Sequence, residues 1–192
     1  MLSGKGFDEI INVAGGIKAW DGHAAVGPED LGLELLTGKE SIDETLVAAY
    51  SLEAGLRDFY LSMVEKVRQP DIKNLFQKLS EIEILHQDRI FTEYLQVSGK
   101  QVSREAFEND LVAKGVEGGL TTDEYVQMFR PDWESSVEII SLAMSIEAQA
   151  LDLYTRAAER STDPSSKAAL KKIAEEERVH LEQLGKLMDE RA

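Results

Sequence analysis

From Ser41 onward, the hydrophobic positions of the chain recur at alternating steps of three and four residues. This spacing places apolar side chains on one face of an α-helix, so each sustained run predicts an amphipathic helix. The runs are long near both ends of this region and shorter in its middle. The predicted long helices cover about 41–67, 71–97, 131–160 and 163–189, and two short helices cover 104–113 and 122–130.

Capping residues and prolines mark where these helices begin and end. Ser41 and Glu44 fit a capping box, and Pro70 breaks the first periodic stretch. Pro164 falls in the first turn of the last helix, where a missing N–H does no harm. Each pair of long helices has a short connection and is therefore predicted to be antiparallel. Two such pairs joined by a long crossover predict an all-α, ferritin-like four-helix bundle.

The first forty residues do not share this pattern. They contain a short apolar run, a Gly15-Gly16 turn and a Gly27-Pro28 break, which predict a strand, a turn, a short helix and a linker. We therefore expect two parts, an N-terminal segment over 1–40 and a helical bundle over 41–192.

The composition excludes several classes of protein. A formal net charge of −15 argues against a nucleic-acid or anionic-membrane surface, and no apolar run approaches the roughly 20 residues that span a bilayer. The chain has no cysteine, which excludes disulfides, thiolate metal sites and a catalytic thiol. No secretory signal opens the sequence, so a cytoplasmic protein is expected.

The two predicted helix pairs are repeats of one another, offset by 94 residues. Residues 41–90 and 135–184 align without a gap and share 15 identities in 50 positions. Shared helical packing alone would preserve mainly apolar residues, yet many of these have changed while polar ones match. The matching pairs that carry chemistry are Glu53 with Glu147, Tyr60 with Tyr154, Glu83 with Glu177, and His86 with His180.

Every repeated Glu and His interrupts an apolar stripe that should be buried. In the stretch EEERVH, Glu177 and His180 lie on the stripe, whereas Glu175 and Glu176 lie off it and are expected to be solvated. Four buried carboxylates without partners would be very costly, and no Lys or Arg lies on these stripes. Protonation, a water-filled core or bound cations would each relieve that cost. Two divalent ions would neutralise four carboxylates, which favours the cations.

The spacing within each pair supports metal binding. Glu83 and His86, like Glu177 and His180, are separated by about 60° around the helix and about 4.5 Å along it, so both members can reach one site. One Glu from each of two helices plus Glu-x-x-His from the other two is the ligand pattern of di-iron and di-manganese carboxylate bundles. Oxygen and imidazole ligands without sulfur favour iron or manganese, with zinc possible, and the expected cofactor is two iron ions.

These motifs resemble the rubrerythrin-like branch of the ferritin-like superfamily over about 41–190. The resemblance implies that Glu53 and Glu147 are terminal carboxylates and that Glu83 and Glu177 bridge two metals. It also implies that His86 and His180 each complete one metal's ligands. Tyr60 and Tyr154 resemble the tyrosines that flank the centre in that family, although packing in the core explains a buried tyrosine equally well.

The chain departs from full rubrerythrins in two ways. It lacks the cysteine-ligated rubredoxin module, so the resemblance implies an external, rubredoxin-like electron donor. It also has Met144 and Ala150 one turn either side of Glu147, where full members carry an additional glutamate. The resemblance further implies a homodimer, with helix pairs exchanged between chains as one form of it.

The N-terminal stretch INVAGGIKAWDGHAAVG resembles the closing segment of a rhodanese domain. The cysteine loop of that family would lie upstream, so sulfur transfer is not expected, and the segment is interpreted as a rhodanese-like remnant. For the bundle, the leading hypothesis is a di-iron oxidoreductase that reduces hydrogen peroxide or dioxygen. The alternatives are a non-catalytic bundle for metal binding, iron buffering or sensing, and a structural bundle without metal.

Overall fold

The computed structural model describes residues 33, 35–113, 124, 126–127 and 130–191. Within these ranges the regular elements are five α-helices. They are α1 (Ile42–Lys66), α2 (Pro70–Ser98), α3 (Arg104–Ala113), α4 (Ser136–Arg160) and α5 (Pro164–Asp189). The predicted all-α architecture is confirmed.

The helix ends follow the predicted capping chemistry. Glu44 accepts a hydrogen bond from the Ser41 backbone N–H at 2.9 Å, which is the Glu half of the capping box at the start of α1. Asp163 accepts from the Ser166 N–H at 2.6 Å before α5, and Gly99 closes α2 in the left-handed conformation with φ +64°. These caps satisfy backbone groups that the helices leave unpaired.

The four long helices form two hairpins around one core. Helix α1 packs along α2, and α4 packs along α5, each pair joined by a three-residue connection, 67–69 or 161–163. The predicted stripe of each helix faces inward. Its apolar members are almost completely buried, and the largest include Tyr60, Tyr154, Phe76, Met63 and Ile140. The core therefore lies along the facing stripes, where the six polar candidates also fall.

Helix α3 covers one side of the first hairpin. Phe107 packs edge-on against Tyr50 with ring centroids 5.0 Å apart, and it also contacts Tyr94 at 4.7 Å. Arg104 donates to the Tyr50 hydroxyl at 2.9 Å and to Gln87 Oε1 at 3.0 Å. These contacts hold α3 against the bundle.

The chain before α1 is attached to the second hairpin at Gly38. The Gly38 carbonyl accepts from the Thr162 N–H at 3.1 Å, and Gly38 has φ +92°, a conformation that favours glycine. A Cβ at this position would collide with the Arg160 carbonyl. The approach of the two backbones therefore requires a glycine.

One helix boundary differs from the predictions, and two predicted features lie mostly outside the described residues. The third long helix begins at Ser136, not after Pro131, because the Ser135 side chain caps it by accepting from the Glu138 N–H at 3.3 Å. Most of the predicted 122–130 helix and of the 1–40 rhodanese-like segment falls outside the described ranges. Among the described helices, none is both long and apolar enough to cross a membrane.

Candidate metal centre

The six predicted ligands come together in the middle of the bundle, and each of the four long helices contributes at least one of them. Helices α1 and α4 each supply one glutamate, and α2 and α5 each supply a Glu and a His one turn apart. All four glutamates are 0% exposed, and His86 and His180 are 7% and 3% exposed. The six side chains therefore lie on the inward helix faces that the apolar stripes predict.

The first half of the centre is built around Glu53. Its Oε2 lies 3.0 Å from His86 Nδ1, and its Oε1 accepts a 2.5 Å hydrogen bond from the Tyr154 hydroxyl. Because Tyr154 belongs to the other hairpin, the carboxylate is oriented from both halves of the bundle.

The second half repeats this arrangement around Glu147. Its Oε2 lies 3.2 Å from His180 Nδ1, and its Oε1 accepts a hydrogen bond from the Tyr60 hydroxyl. Each tyrosine therefore bonds the glutamate of the opposite hairpin, a cross-pairing that the sequence did not indicate. Both phenols are fully buried, so the tyrosines pack in the core and also contact the candidate ligands.

Glu83 and Glu177 lie between the two halves. His86 Nδ1 is 3.2 Å from Glu83 Oε2, while His180 Nδ1 is 3.5 Å from Glu177 Oε2 and 3.9 Å from Glu83 Oε1. The two imidazole rings are stacked, with centroids 5.0 Å apart and planes 6° from parallel. The ligand nitrogens and carboxylates thus point at a shared interior space.

The unpaired oxygen atoms test whether the cluster suits a cation. Both oxygens of Glu83 and both oxygens of Glu177 are buried and accept no hydrogen bond in the described part of the protein. Buried polar atoms are nearly always paired, so four orphaned carboxylate oxygens in one place call for an electropositive partner. The cluster therefore fits bound metal ions.

Three overlapping groups of side chains could each hold a metal ion, since their ligand atoms lie within 4.8 Å of one another. These groups are Glu83, His86 and His180; Glu53, His86 and Glu177; and Glu147, Glu177 and His180. Together they contain all six predicted ligands.

The electrostatics divide the four carboxyl groups into two kinds. Burial raises the pKa of Glu83 and Glu177 well above the usual value, and the neighbouring negative charges of Glu53 and Glu147 raise it further. Burial also acts on Glu53 and Glu147, but several hydrogen bonds together outweigh it and lower their pKa, the largest of these coming from His86 and His180 respectively. Without a cation, the two central carboxyl groups are therefore the ones that hold protons.

Burial keeps the two flanking tyrosines in their hydrogen-bonding form. It raises the pKa of both phenols well above 10, and the charge of the glutamate that each one contacts raises it further. Tyr60 and Tyr154 therefore remain protonated donors at neutral pH.

Glu176 contacts the centre, although the stripe pattern predicted that it would be solvated. Glu175 is solvated as expected, with its side chain 62% exposed, but the Glu176 side chain is 28% exposed. Arg89 donates a hydrogen bond to Glu176 Oε2, and the same oxygen lies 3.8 Å from His86 Nε2. The stripe criterion missed Glu176 because it identifies the inward face of a single helix, whereas this contact forms between α2 and α5.

The positions one turn either side of Glu147 carry no oxygen ligand. Met144 packs against the core as a partly buried side chain, and Ala150 is buried. The described carboxylates that face the interior are therefore the four repeat-related glutamates.

The helical architecture and the buried Glu/His cluster define a ferritin-like bundle with a candidate metal centre. The family model described as Rubrerythrin matches residues 44–188, and the chain belongs to the rubrerythrin family. The matched range includes all six ligand candidates and does not include the proposed rhodanese-like segment.

A solved structure supports the fold. A hypothetical protein from Pyrococcus furiosus is 23% identical, with a TM-score of 0.50, and the match covers 78% of this chain and 89% of that one. No curated protein matches the chain.

Proposed function

We propose that the protein is a di-iron carboxylate oxidoreductase that reduces hydrogen peroxide or dioxygen with electrons from an external donor. The observation that carries the proposal is the buried, twofold-repeated cluster of four glutamates and two histidines with four unpaired carboxylate oxygens. Membership of the rubrerythrin family supports it, because the matched residues 44–188 include all six ligand candidates.

Each residue would have a role that follows from its position. Glu53 with His86, and Glu147 with His180, would each hold one metal, since each carboxylate already faces an imidazole Nδ1. Glu83 and Glu177 lie between the halves and would be shared by both metals. Iron is favoured by the mixed oxygen and nitrogen ligands, and manganese or zinc could occupy the same set.

A bound di-iron centre would supply two electrons, which together with two protons reduce hydrogen peroxide to two molecules of water or dioxygen to hydrogen peroxide. The protein's own part is to hold four carboxylates close together and buried from bulk solvent. Tyr60 and Tyr154 donate hydrogen bonds to the outer glutamates and fix their orientation. Burial raises the pKa of Glu83 and Glu177. A cation that binds to these carboxylates therefore displaces their protons, and the carboxylates can bind protons again.

The electron donor is proposed to be a separate, rubredoxin-like protein. The chain has no cysteine, so it cannot carry a thiolate-ligated iron of its own. Reduction of the centre after each turnover would then depend on a partner or on an added reductant.

A homodimer is proposed as the working form. The repeat-related pair Leu85 and Val179 is exposed, at 65% and 40%, and it presents apolar surface on both hairpins. Light scattering coupled to gel filtration tests this proposal, and a mass near 21.4 kDa would contradict it.

The catalytic proposal is tested by loading the protein anaerobically with ferrous ion and mixing it with peroxide or with dioxygen. Rapid oxidation, followed by absorbance, is expected for the parent protein, whereas Glu83→Ala and His180→Ala should each react far more slowly. Glu175→Ala, which changes an exposed carboxylate on the same helix, is the matched control. Equal rates in all four proteins would overturn the proposal.

Iron buffering or sensing is the second candidate, favoured by the apolar Met144 and Ala150 beside Glu147. A buffer binds iron without sustained turnover. Repeated peroxide additions with excess reductant separate the two functions. Peroxide consumed in large excess over protein supports the oxidoreductase, and consumption that stops after one equivalent per centre supports the buffer.

A further inference from the structure

Glu176 and Arg89 form a polar pair at the outer edge of the centre. Arg89 Nη2 donates to Glu176 Oε2, and that oxygen lies 3.8 Å from His86 Nε2. The Arg89 and Glu176 side chains are 22% and 28% exposed. The pair therefore lies between the buried cluster and solvent, in contact with one of the two histidines.

The orientation of the His86 ring makes this contact relevant to metal binding. Nδ1 faces Glu53 and Glu83 inside the bundle, so Nε2 is the outer nitrogen. A neutral imidazole that binds a metal through one nitrogen carries its proton on the other, and that N–H usually donates to a carboxylate, a carbonyl or water. Glu176 Oε2 lies 3.8 Å from Nε2, and a small side-chain rotation would shorten this distance to a hydrogen bond of about 2.8 Å.

The other half of the centre lacks this pair. With the repeat offset of 94 residues, Glu176 corresponds to Ile82 and Arg89 corresponds to Gln183. An isoleucine accepts no hydrogen bond, so the symmetry of the six ligands does not extend to the residues outside them. His86 has a carboxylate on its outer side that is tied to an arginine, and His180 does not have the equivalent pair.

We propose that Glu176, held by Arg89, is a positioning residue for His86 and makes the two metal positions unequal. The inference rests on the proposed metal binding at this centre. An acceptor on Nε2 fixes the ring with Nδ1 inward and makes that nitrogen a stronger donor to a cation. Arg89 balances the charge of Glu176, so the carboxylate stays in place at the edge of an already acidic cluster. The position beside His86 is expected to bind a divalent ion more tightly than the position beside His180.

Anaerobic titration with Co²⁺, followed by its visible absorption and by calorimetry, tests the proposal without redox chemistry. The parent protein should bind two ions with unequal affinities. Glu176→Ala should weaken the tighter step by about tenfold, the lower end of the usual effect of removing such a partner, and leave the weaker step unchanged. Glu176→Gln keeps an oxygen acceptor without the charge and should show a smaller loss. Glu175→Ala, one residue away and paired with Arg178, should leave both steps unchanged.

The outcomes separate this inference from the proposed function. If the parent shows two binding steps and neither Glu176→Ala nor Glu176→Gln changes them, the positioning role is overturned and metal binding stands. An equal loss in both steps would overturn the asymmetry. Failure of the parent to bind any Co²⁺ would overturn the metal centre itself. Circular dichroism melts of the metal-free variants show whether each is folded. If Glu176→Ala does not fold, Glu176→Gln provides the test.

Discussion

At the scale of single residues, the four buried glutamates have two different electrostatic situations. Glu53 and Glu147 each contact an imidazole and accept a hydrogen bond from a tyrosine, so their charge is compensated within the protein. Among the described residues, none donates a hydrogen bond to either oxygen of Glu83 or of Glu177. The outer pair is therefore preorganised by the protein, and the central pair depends on protons or cations.

Glu83→Gln should separate stability from metal binding. A neutral amide of the same shape removes a carboxyl group whose ionisation is unfavourable in the metal-free protein. At pH 8 without metal the variant should be more stable than the parent by on the order of 1 kcal/mol, measured by urea unfolding. It should also lose metal affinity. A metal-free variant that is less stable than the parent would contradict the proposal that ionisation of Glu83 destabilises the folded protein.

Tyr154→Phe should weaken the first half of the centre. The change removes the hydrogen bond to Glu53 Oε1 and leaves a buried carboxylate oxygen unpaired, at a cost of about 1–3 kcal/mol. Chemical unfolding of the metal-free protein measures the loss. Tyr94→Phe is the control, because its hydroxyl bonds Lys100 away from the centre and should matter by less than about 0.5 kcal/mol. Equal effects of the two changes would contradict a specific role for the Tyr154 hydroxyl.

At the scale of elements, each hairpin carries a Glu, a Glu-x-x-His pair and a Tyr, but neither hairpin completes a half of the centre. The hydroxyl of Tyr60 on α1 bonds Glu147 on α4, and that of Tyr154 on α4 bonds Glu53 on α1. The hairpins must therefore be correctly placed against each other before the ligands are oriented. Gly38 adds a further tie between the chain before α1 and the turn before α5.

Gly38→Ala should destabilise the protein by about 2 kcal/mol or more, because the new Cβ meets the Arg160 carbonyl and the backbone is left-handed. Thermal unfolding measures this loss of stability. Gly99→Ala is the matched control, since Gly99 is also left-handed with φ +64° but has open space around its Cβ position. It should cost only the conformational strain, about 1 kcal/mol. A Gly38→Ala loss no greater than that of Gly99→Ala would show that the contact with Arg160 does not matter.

At the scale of the whole molecule, the central carboxyl groups make the stability of the fold depend on pH and on bound metal. Glu83 and Glu177 have folded pKa values above their usual 4.5, so the folded state binds more protons than the unfolded state above that pH. Their contribution to stability is present below about pH 4.5 and is lost as pH rises through the folded pKa. Glu53 and Glu147 act oppositely, but their lowered pKa values place that change below pH 4.5.

The metal-free protein is therefore expected to lose stability between mildly acidic and alkaline pH, and metal is expected to reverse the trend. A divalent ion at one hundred times its Kd adds about 2.7 kcal/mol, which corresponds to roughly 5–10 °C in Tm for a chain of this size. Scanning calorimetry at pH 5.5 and 8, with and without Mn²⁺, measures both effects. A metal-induced shift that is no larger at pH 8 than at pH 5.5 would contradict proton displacement from Glu83 and Glu177.

The sequence by itself determined the helices, the inward faces and the six ligand candidates. Helical periodicity is local, so Glu53 or His86 could be assigned to a buried stripe from its neighbours alone, and the 94-residue repeat separated these residues from the many solvated acids. Only the tertiary structure decided the contacts between helices. The crossed Tyr–Glu bonds and the approach of Glu176 to His86 depend on how α1, α2, α4 and α5 are rotated and spaced against one another. That arrangement arises from packing between segments far apart in the chain, which no local pattern records.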